Sequence, residues 1–262
     1  VLRILAAHRD PESYVAGSIP IHDLTLRRSE GIDIFHDREE RVFQAVQEDS
    51  AILQSKGFEL NWLRREPLIY TAEVIQSGES TRLEWVVDSD FRFFPTVEDE
   101  TFGYVLHPVD IATNKVMAAA GRRKPHDLVD LLTIHEHILP LGAVIWAAVE
   151  KSPGFTPEGL IAEIRRISNY RPEELAAVPT DKPIEPLSFY TRLREILQEA
   201  EDFVLQMPTE KIGLLFLKDG EIVQPDPERL DDYQTHAGKR RGHWPTSSEI
   251  MSEMLETYKG KG

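Results

Sequence analysis

Apolar and polar positions in the first third of the chain change period twice. From about Arg38 to Lys56, Val42, Val46, Asp49 and Leu53 fall on one stripe at helical spacing, with Asp37 and Glu40 arranged as a capping box. The spacing predicts a helix that Gly57 closes. Three stretches follow, FELNWLRRE, LIYTAEVIQ and TRLEWVVDSDFRFF, rich in aromatic and β-branched residues and punctuated by Pro or Gly-Glu-Ser. They predict a meander of paired strands. From about Pro108 the pattern turns helical, with boundaries at Pro125, Pro140, Pro153 and Pro157, and Thr156-Pro157 reads as an N-cap followed by a first-turn proline. IGLLFLKDGEIV predicts a hairpin turning at Asp219-Gly220. VPTDKPIEP before Leu187 is the best linker, and the tail beyond Pro245 reads as a final helix.

Composition narrows the class. A chain of 262 residues suits one large domain or a catalytic domain with a helical extension, and 41% hydrophobic with 29% charged residues is the balance of a globular protein. The absence of cysteine excludes disulfides, thiolate zinc sites, iron–sulfur clusters and a cysteine nucleophile. No apolar run approaches the roughly 20 residues of a membrane span. The opening VLRILAAHRD lacks the apolar core of a signal peptide, so a cytoplasmic protein without a membrane partner is expected. A net charge of −15 disfavours non-specific capture of nucleic acid, so an RNA substrate would need a local basic patch. Arg27-Arg28, Arg122-Arg123-Lys124 and Lys239-Arg240-Arg241 are the candidates, although solvated surface charge is the commoner fate of such runs. The histidines at 22, 36, 107 and 126, and His135-Glu136-His137, match no zinc spacing.

Near the start, the short apolar strand Tyr14-Val15-Ala16 runs into Gly17-Ser18 and then Ile19-Pro20, where proline can open a helix. A glycine turn there lets backbone N–H groups approach a phosphate, although an ordinary turn fits the dipeptide equally well. A second strand, Ile32-Asp33-Ile34-Phe35, places a carboxylate between large apolar residues. Such a carboxylate is costly to bury unless it binds something.

The strand RRSEGIDIFHDREERV after Gly17-Ser18 resembles the polymerase-β-like nucleotidyltransferases, which follow Gly-Gly or Gly-Ser with an Asp-x-Asp strand. The resemblance is closest to the AbiEii/AbiGii toxin family, with Gly31 standing where the first Asp belongs. The block HPVDIATNKVMAAAGRRKPHDLVDLLTI is similar to that family's lysine helix, arginine-rich turn and Asp-Leu-x-Asp-Leu helix. The resemblance implies an α+β fold: a small mixed sheet with helices forming a nucleotidyltransferase core over 1–138, and a mostly helical region over 139–262 packed on it. It implies nucleotide binding by Gly17, Ser18, Lys115, Arg122 and Asp130, and catalytic roles for Asp33, Asp88, Lys115 and Asp127. Asp33 would hold the metal, Mg2+ or Mn2+, with Asp88 the first choice and Glu84 the second for a further carboxylate. Glu84, Val86 and Asp88 share one side of a strand, which makes either carboxylate available.

The implied reaction is attack of a hydroxyl of RNA, such as tRNA, or of protein on the α-phosphate of a nucleoside triphosphate, with pyrophosphate leaving and a cognate antitoxin as partner. Glu30 cannot replace the missing Asp, because a one-residue offset on a strand turns its side chain to the other face. The sequence therefore leaves open an impaired enzyme, a nucleotide-binding or regulatory protein that lost the reaction, and a small-molecule nucleotidyltransferase. It also leaves open whether Gly31 is natural or was introduced to silence a toxin.

Overall fold

A computed structural model describes residues 1–25, 27–29, 31–89, 91–152 and 154–240. Glu30, the boundary expected at Pro153, Arg241 and the helix expected beyond Pro245 lie outside the described residues. The strands are β1 (Ser13–Val15), β2 (Gly31–His36), β3 (Glu59–Glu66), β4 (Ile69–Gln76), β5 (Glu79–Val87), β6 (Phe91–Arg92), β7 (Val97–Asp99), β8 (Gly103–Val105), β9 (Leu214–Lys218), β10 (Glu221–Val223), β11 (Gln234–Ala237) and β12 (Lys239–Arg240). The helices are α1 (Leu2–Leu5), α2 (Glu39–Ser55), α3 (Pro108–Gly121), α4 (Pro125–His137), α5 (Leu141–Ala148), α6 (Pro157–Ile167), α7 (Pro172–Ala176) and α8 (Pro186–Gln206). The fold is α+β, and the chain divides into two compact units. The first comprises residues 1–21, 29–90 and 95–107, and the second residues 22–28, 91–94 and 108–262. Helices α3 and α4, which the resemblance groups with the core, belong to the second unit. Among the described residues no single helix is long and apolar enough to cross a membrane.

The first unit is a mixed seven-stranded sheet in the order β3-β4-β5-β2-β1-β8-β7. The meander β3-β4-β5 forms as its sequence predicts, and β5 then pairs in parallel with β2. Strand side chains alternate between faces. Ile32 and Ile34, Ala72 and Val74, and Leu83 and Trp85 therefore enter one core with Val42, Ala45, Val46 and Leu53 of α2. Asp33, Thr71, Arg82 and Glu84 alternate with these residues on the opposite face. Asp49 joins the core stripe as an ion-pair member: Arg9 reaches one carboxylate oxygen, and the Trp85 indole donates to the other at 2.7 Å.

Two local expectations need correction here. The N-cap of α2 is Arg38, with no side-chain cap, because Asp37 instead accepts from the Tyr14 hydroxyl at 3.3 Å. Gly57 does close the helix, at φ +83°. The third predicted strand ends at Val87, since Asp88 turns the chain by accepting the Ser89 N–H at 2.7 Å. Phe91-Arg92 then pairs with Lys239-Arg240 in a separate ladder.

In the second unit, proline placement sets the helix starts. Pro125 and Pro157 sit in the first turns of α4 and α6, and the Thr156 hydroxyl caps α6 by accepting the Gly159 N–H at 3.1 Å. Helix α5 is buried along its whole length. The predicted hairpin turns at Asp219 and Gly220, both at positive φ, and β11 adds a third strand, so the C-terminal region mixes a small sheet with its helices. VPTDKPIEP is no free linker. Val178 packs in a core with Val129 and Leu175, and the Pro179 carbonyl accepts the Arg28 N–H at 2.9 Å.

Candidate functional site

Gly17 leaves β1 at φ +71°, a conformation that side chains other than glycine's rarely adopt. A Cβ at this position would fall inside the Asp33 carboxylate. The Ala16 N–H donates to the Asp33 carbonyl at 3.0 Å, which fixes the turn against β2. The Gly17-Ser18 turn and the strand carboxylate, separate in sequence, are thus in direct contact, and Ser18 is buried beside them. The helix expected from Ile19-Pro20 is a single 3-10 turn, Ile19–Ile21. So short an element adds little dipole, and a phosphate at this turn would rest on backbone N–H groups.

Asp33 and Glu84 are register partners across the parallel β2–β5 pair, and Thr71 donates to Glu84 at 3.2 Å. Asp88 stands four residues beyond Glu84, about 13 Å along the chain at the rise of a strand. There it accepts the Tyr14 hydroxyl at 3.1 Å. The geometry brings Glu84 beside Asp33 and places Asp88 in another cluster, the reverse of the preference read from sequence. Among the described residues no group of three or more His, Asp or Glu side chains gathers to hold an ion. Two adjacent carboxylates nevertheless suit magnesium, which is commonly held by one or two carboxylates together with substrate phosphates.

Gly31 is the register partner of Arg82. A Cβ on Gly31 would lie 2.8 Å from the Arg82 carbonyl oxygen, 3.1 Å from Arg82 Cβ and 3.3 Å from Arg82 Nε. The two main chains approach too closely for a side chain at 31, and the arginine stem covers the space that an Asp side chain would use.

In the second unit, α3 and α4 meet through Lys115 and Asp130. Lys115 Nζ lies 2.7 Å from one Asp130 oxygen, and Arg27 donates to both oxygens at 2.7 and 3.1 Å. Burial raises the Asp130 carboxyl, but Lys115 and Arg27 more than offset it and hold it below the ordinary carboxylate range. Asp127, one turn earlier, accepts two hydrogen bonds from Arg122, at 2.8 and 2.9 Å. At the start of α3, Asp110 accepts the N–H groups of Phe93 and Phe94 at 2.8 and 3.0 Å, and burial pushes its carboxyl up.

The arginines of the first two basic runs are each paired with a carboxylate. Arg27 is committed to Asp130, Arg28 to Asp181, Arg122 to Asp127 and Arg123 to Glu174, with Arg123 also stacked 4.3 Å from the Tyr170 ring centre. The Arg123 and Arg171 contacts hold Glu174 down at about 2. The sequence offered Arg27 as part of a basic patch or as surface charge and passed over Arg82, because the pairing of Arg27 with Asp130 and of Arg82 with Gly31 joins positions far apart in the chain.

Neither a protein-family profile nor a curated protein matches the sequence. Among solved structures, the chain is similar to MenT4, a nucleotidyltransferase toxin from Mycobacterium tuberculosis H37Rv. The TM-score is 0.51 at 14% identity, over 80% of this chain and 82% of that one. A likeness at this identity carries architecture, and function must be argued from the site. The chain has a nucleotidyltransferase-like fold.

Proposed function

We propose that this protein is a toxin-type nucleotidyltransferase of the AbiEii kind. It transfers a nucleoside monophosphate from a nucleoside triphosphate to a hydroxyl of RNA or protein, at a rate reduced by the missing carboxylate at 31. The observation that carries the reading is the contact of the Gly17 turn with Asp33, which joins a backbone phosphate cradle to a carboxylate on the neighbouring strand. Gly17 and Ser18 bind the triphosphate. Asp33 and Glu84 hold Mg2+ or Mn2+, with Glu84 taking the place that sequence favoured for Asp88. The ion, when bound, neutralises charge developing on the phosphoryl oxygens. Within the second unit, Asp130 positions Lys115 and Asp127 positions Arg122. The net charge of −15 favours a compact acceptor, such as a folded tRNA end or a protein hydroxyl, over a long RNA. A cognate antitoxin is the expected partner.

A second reading, nucleotide binding without turnover, is favoured specifically by Gly31, since in-line displacement normally uses two ions and more than two carboxylates. The test is transfer of α-labelled nucleoside triphosphates to total RNA and protein in the presence of Mg2+ or Mn2+. Label should appear in one of the two fractions and fall by at least about 100-fold in Asp33→Asn, beyond the loss typical of outer-shell changes. Transfer that survives Asp33→Asn would refute the proposal, and binding without transfer would establish the second reading.

A further inference from the structure

The space above Gly31 is where a nucleotidyltransferase strand would carry its other carboxylate, and here it holds a cation. Arg82 stands level with Gly31 across the parallel pair, its Nε 3.3 Å from where a Cβ on Gly31 would be. Side chains two residues apart on a strand share a face. Arg82 therefore projects from the same face as Glu84, and Gly31 from the same face as Asp33. Its stem is held by the strand, and it is exposed. Glu73 stands across from it on β4, but among the described residues no carboxylate closes to ion-pair distance on its guanidinium, in contrast to Lys115, which Asp130 engages at 2.7 Å. A guanidinium at that point would repel an ion at close range, and its planar fork suits a phosphate.

We propose that Arg82 is a nucleotide-binding residue that replaces one of the two divalent ions expected at such a site. The missing carboxylate and the added arginine form a single exchange. Without an Asp at 31, nothing on that side of the strand holds a second ion, and the fixed charge of Arg82 takes over contact with the triphosphate. The remaining ion rests on Asp33 and Glu84. The main-chain approach at Gly31 supports the exchange, because the strands are spaced for glycine and a restored Asp would not regain the lost geometry. This inference rests on the nucleotide-binding reading of the Gly17–Asp33 face.

The experiment is calorimetric titration of the full chain with α,β-methylene analogues of ATP, GTP, CTP and UTP, which bind but cannot be transferred, across a series of Mg2+ concentrations. Arg82→Gln should weaken the best analogue roughly tenfold or more, the loss of one charge-assisted hydrogen bond. Arg82→Lys should recover part of that affinity, and Mg2+ linkage in the parent should report one ion per bound nucleotide. Unchanged unfolding midpoints would show that the variants are folded, and Arg82 is exposed on its strand. Equal affinity in the parent and Arg82→Gln, or linkage to two ions, would overturn the inference alone. Failure of the parent to bind any analogue would overturn both the inference and the reading beneath it.

Discussion

The carboxylates of the sheet and those of the helices share a residue type and opposite surroundings. Asp127 and Asp130 are buried, and each is saturated by arginine or lysine at 2.7–3.1 Å. Asp33 and Glu84 are half-buried, side by side, against a glycine turn and a threonine. A buried ion pair is costly to break from one side, since the survivor keeps its charge without a partner. The sheet pair instead shares its face with the exposed Arg82, two residues from Glu84 on β5. The helix set is therefore fitted to hold and orient, and the sheet set to receive a cation or a cation-bound ligand.

The largest expected effect attacks the helix set. Asp130→Ala leaves Lys115 and Arg27 buried without their counter-charge and should lower unfolding free energy by about 3–5 kcal/mol in urea titrations. Asp33→Asn, at a half-buried position, should cost no more than about 1 kcal/mol. A comparable loss from Asp33→Asn would erase the contrast between the two sets. Next come the glycines. Gly17→Ala drives a methyl into the Asp33 carboxylate at positive φ and should cost about 1–3 kcal/mol, together with nucleotide affinity. Gly31→Asp meets the Arg82 carbonyl and should cost about 1–3 kcal/mol without restoring transfer. A Gly31→Asp protein that is both stable and more active would show that the strand spacing is no barrier.

At neutral pH the smallest effect is expected at His36, on the core side of β2, with Nε2 3.1 Å from the Ser13 hydroxyl. Burial, then the charges of Arg9 and Arg41, push its pKa from 6.5 down to about 3. The folded state thus keeps His36 neutral while the unfolded chain protonates it below pH 6.5. Its contribution is complete above about pH 6.5 and is lost as pH falls toward 3, by up to about 1.4 kcal/mol per pH unit. His36→Gln should flatten the acid limb of a stability–pH curve by that slope. A limb of unchanged steepness would contradict the assignment.

Features written in neighbouring residues were legible in the sequence. The Asp219-Gly220 hairpin, the β3–β5 meander and the Thr156-Pro157 helix start each follow from local chemistry, and the structure contains them. The Gly17-Ser18 turn and Asp33 could be proposed as partners because the motif fixes their spacing. Features set by register or by distant pairing were not legible. Whether Glu84 or Asp88 stands beside Asp33 depends on how β5 slides against β2, and one strand face offers both residues equally. Arg82 over Gly31 follows from the same register. The placement of residues 22–28 and 91–94 in the second unit has no local signal, since their partners are Asp130, Pro179 and Asp110, 16 or more residues away.

The central claim is that the Gly17–Asp33 face binds a nucleoside triphosphate. Hydrogen exchange of the chain with and without an α,β-methylene triphosphate analogue and Mg2+ tests it most directly, because backbone N–H groups at the turn are the proposed contacts. The account predicts protection concentrated in peptides covering 14–21 and 31–36, absent when Mg2+ is withheld and in Asp33→Asn. Protection confined to other segments, or none at saturating analogue, would contradict it.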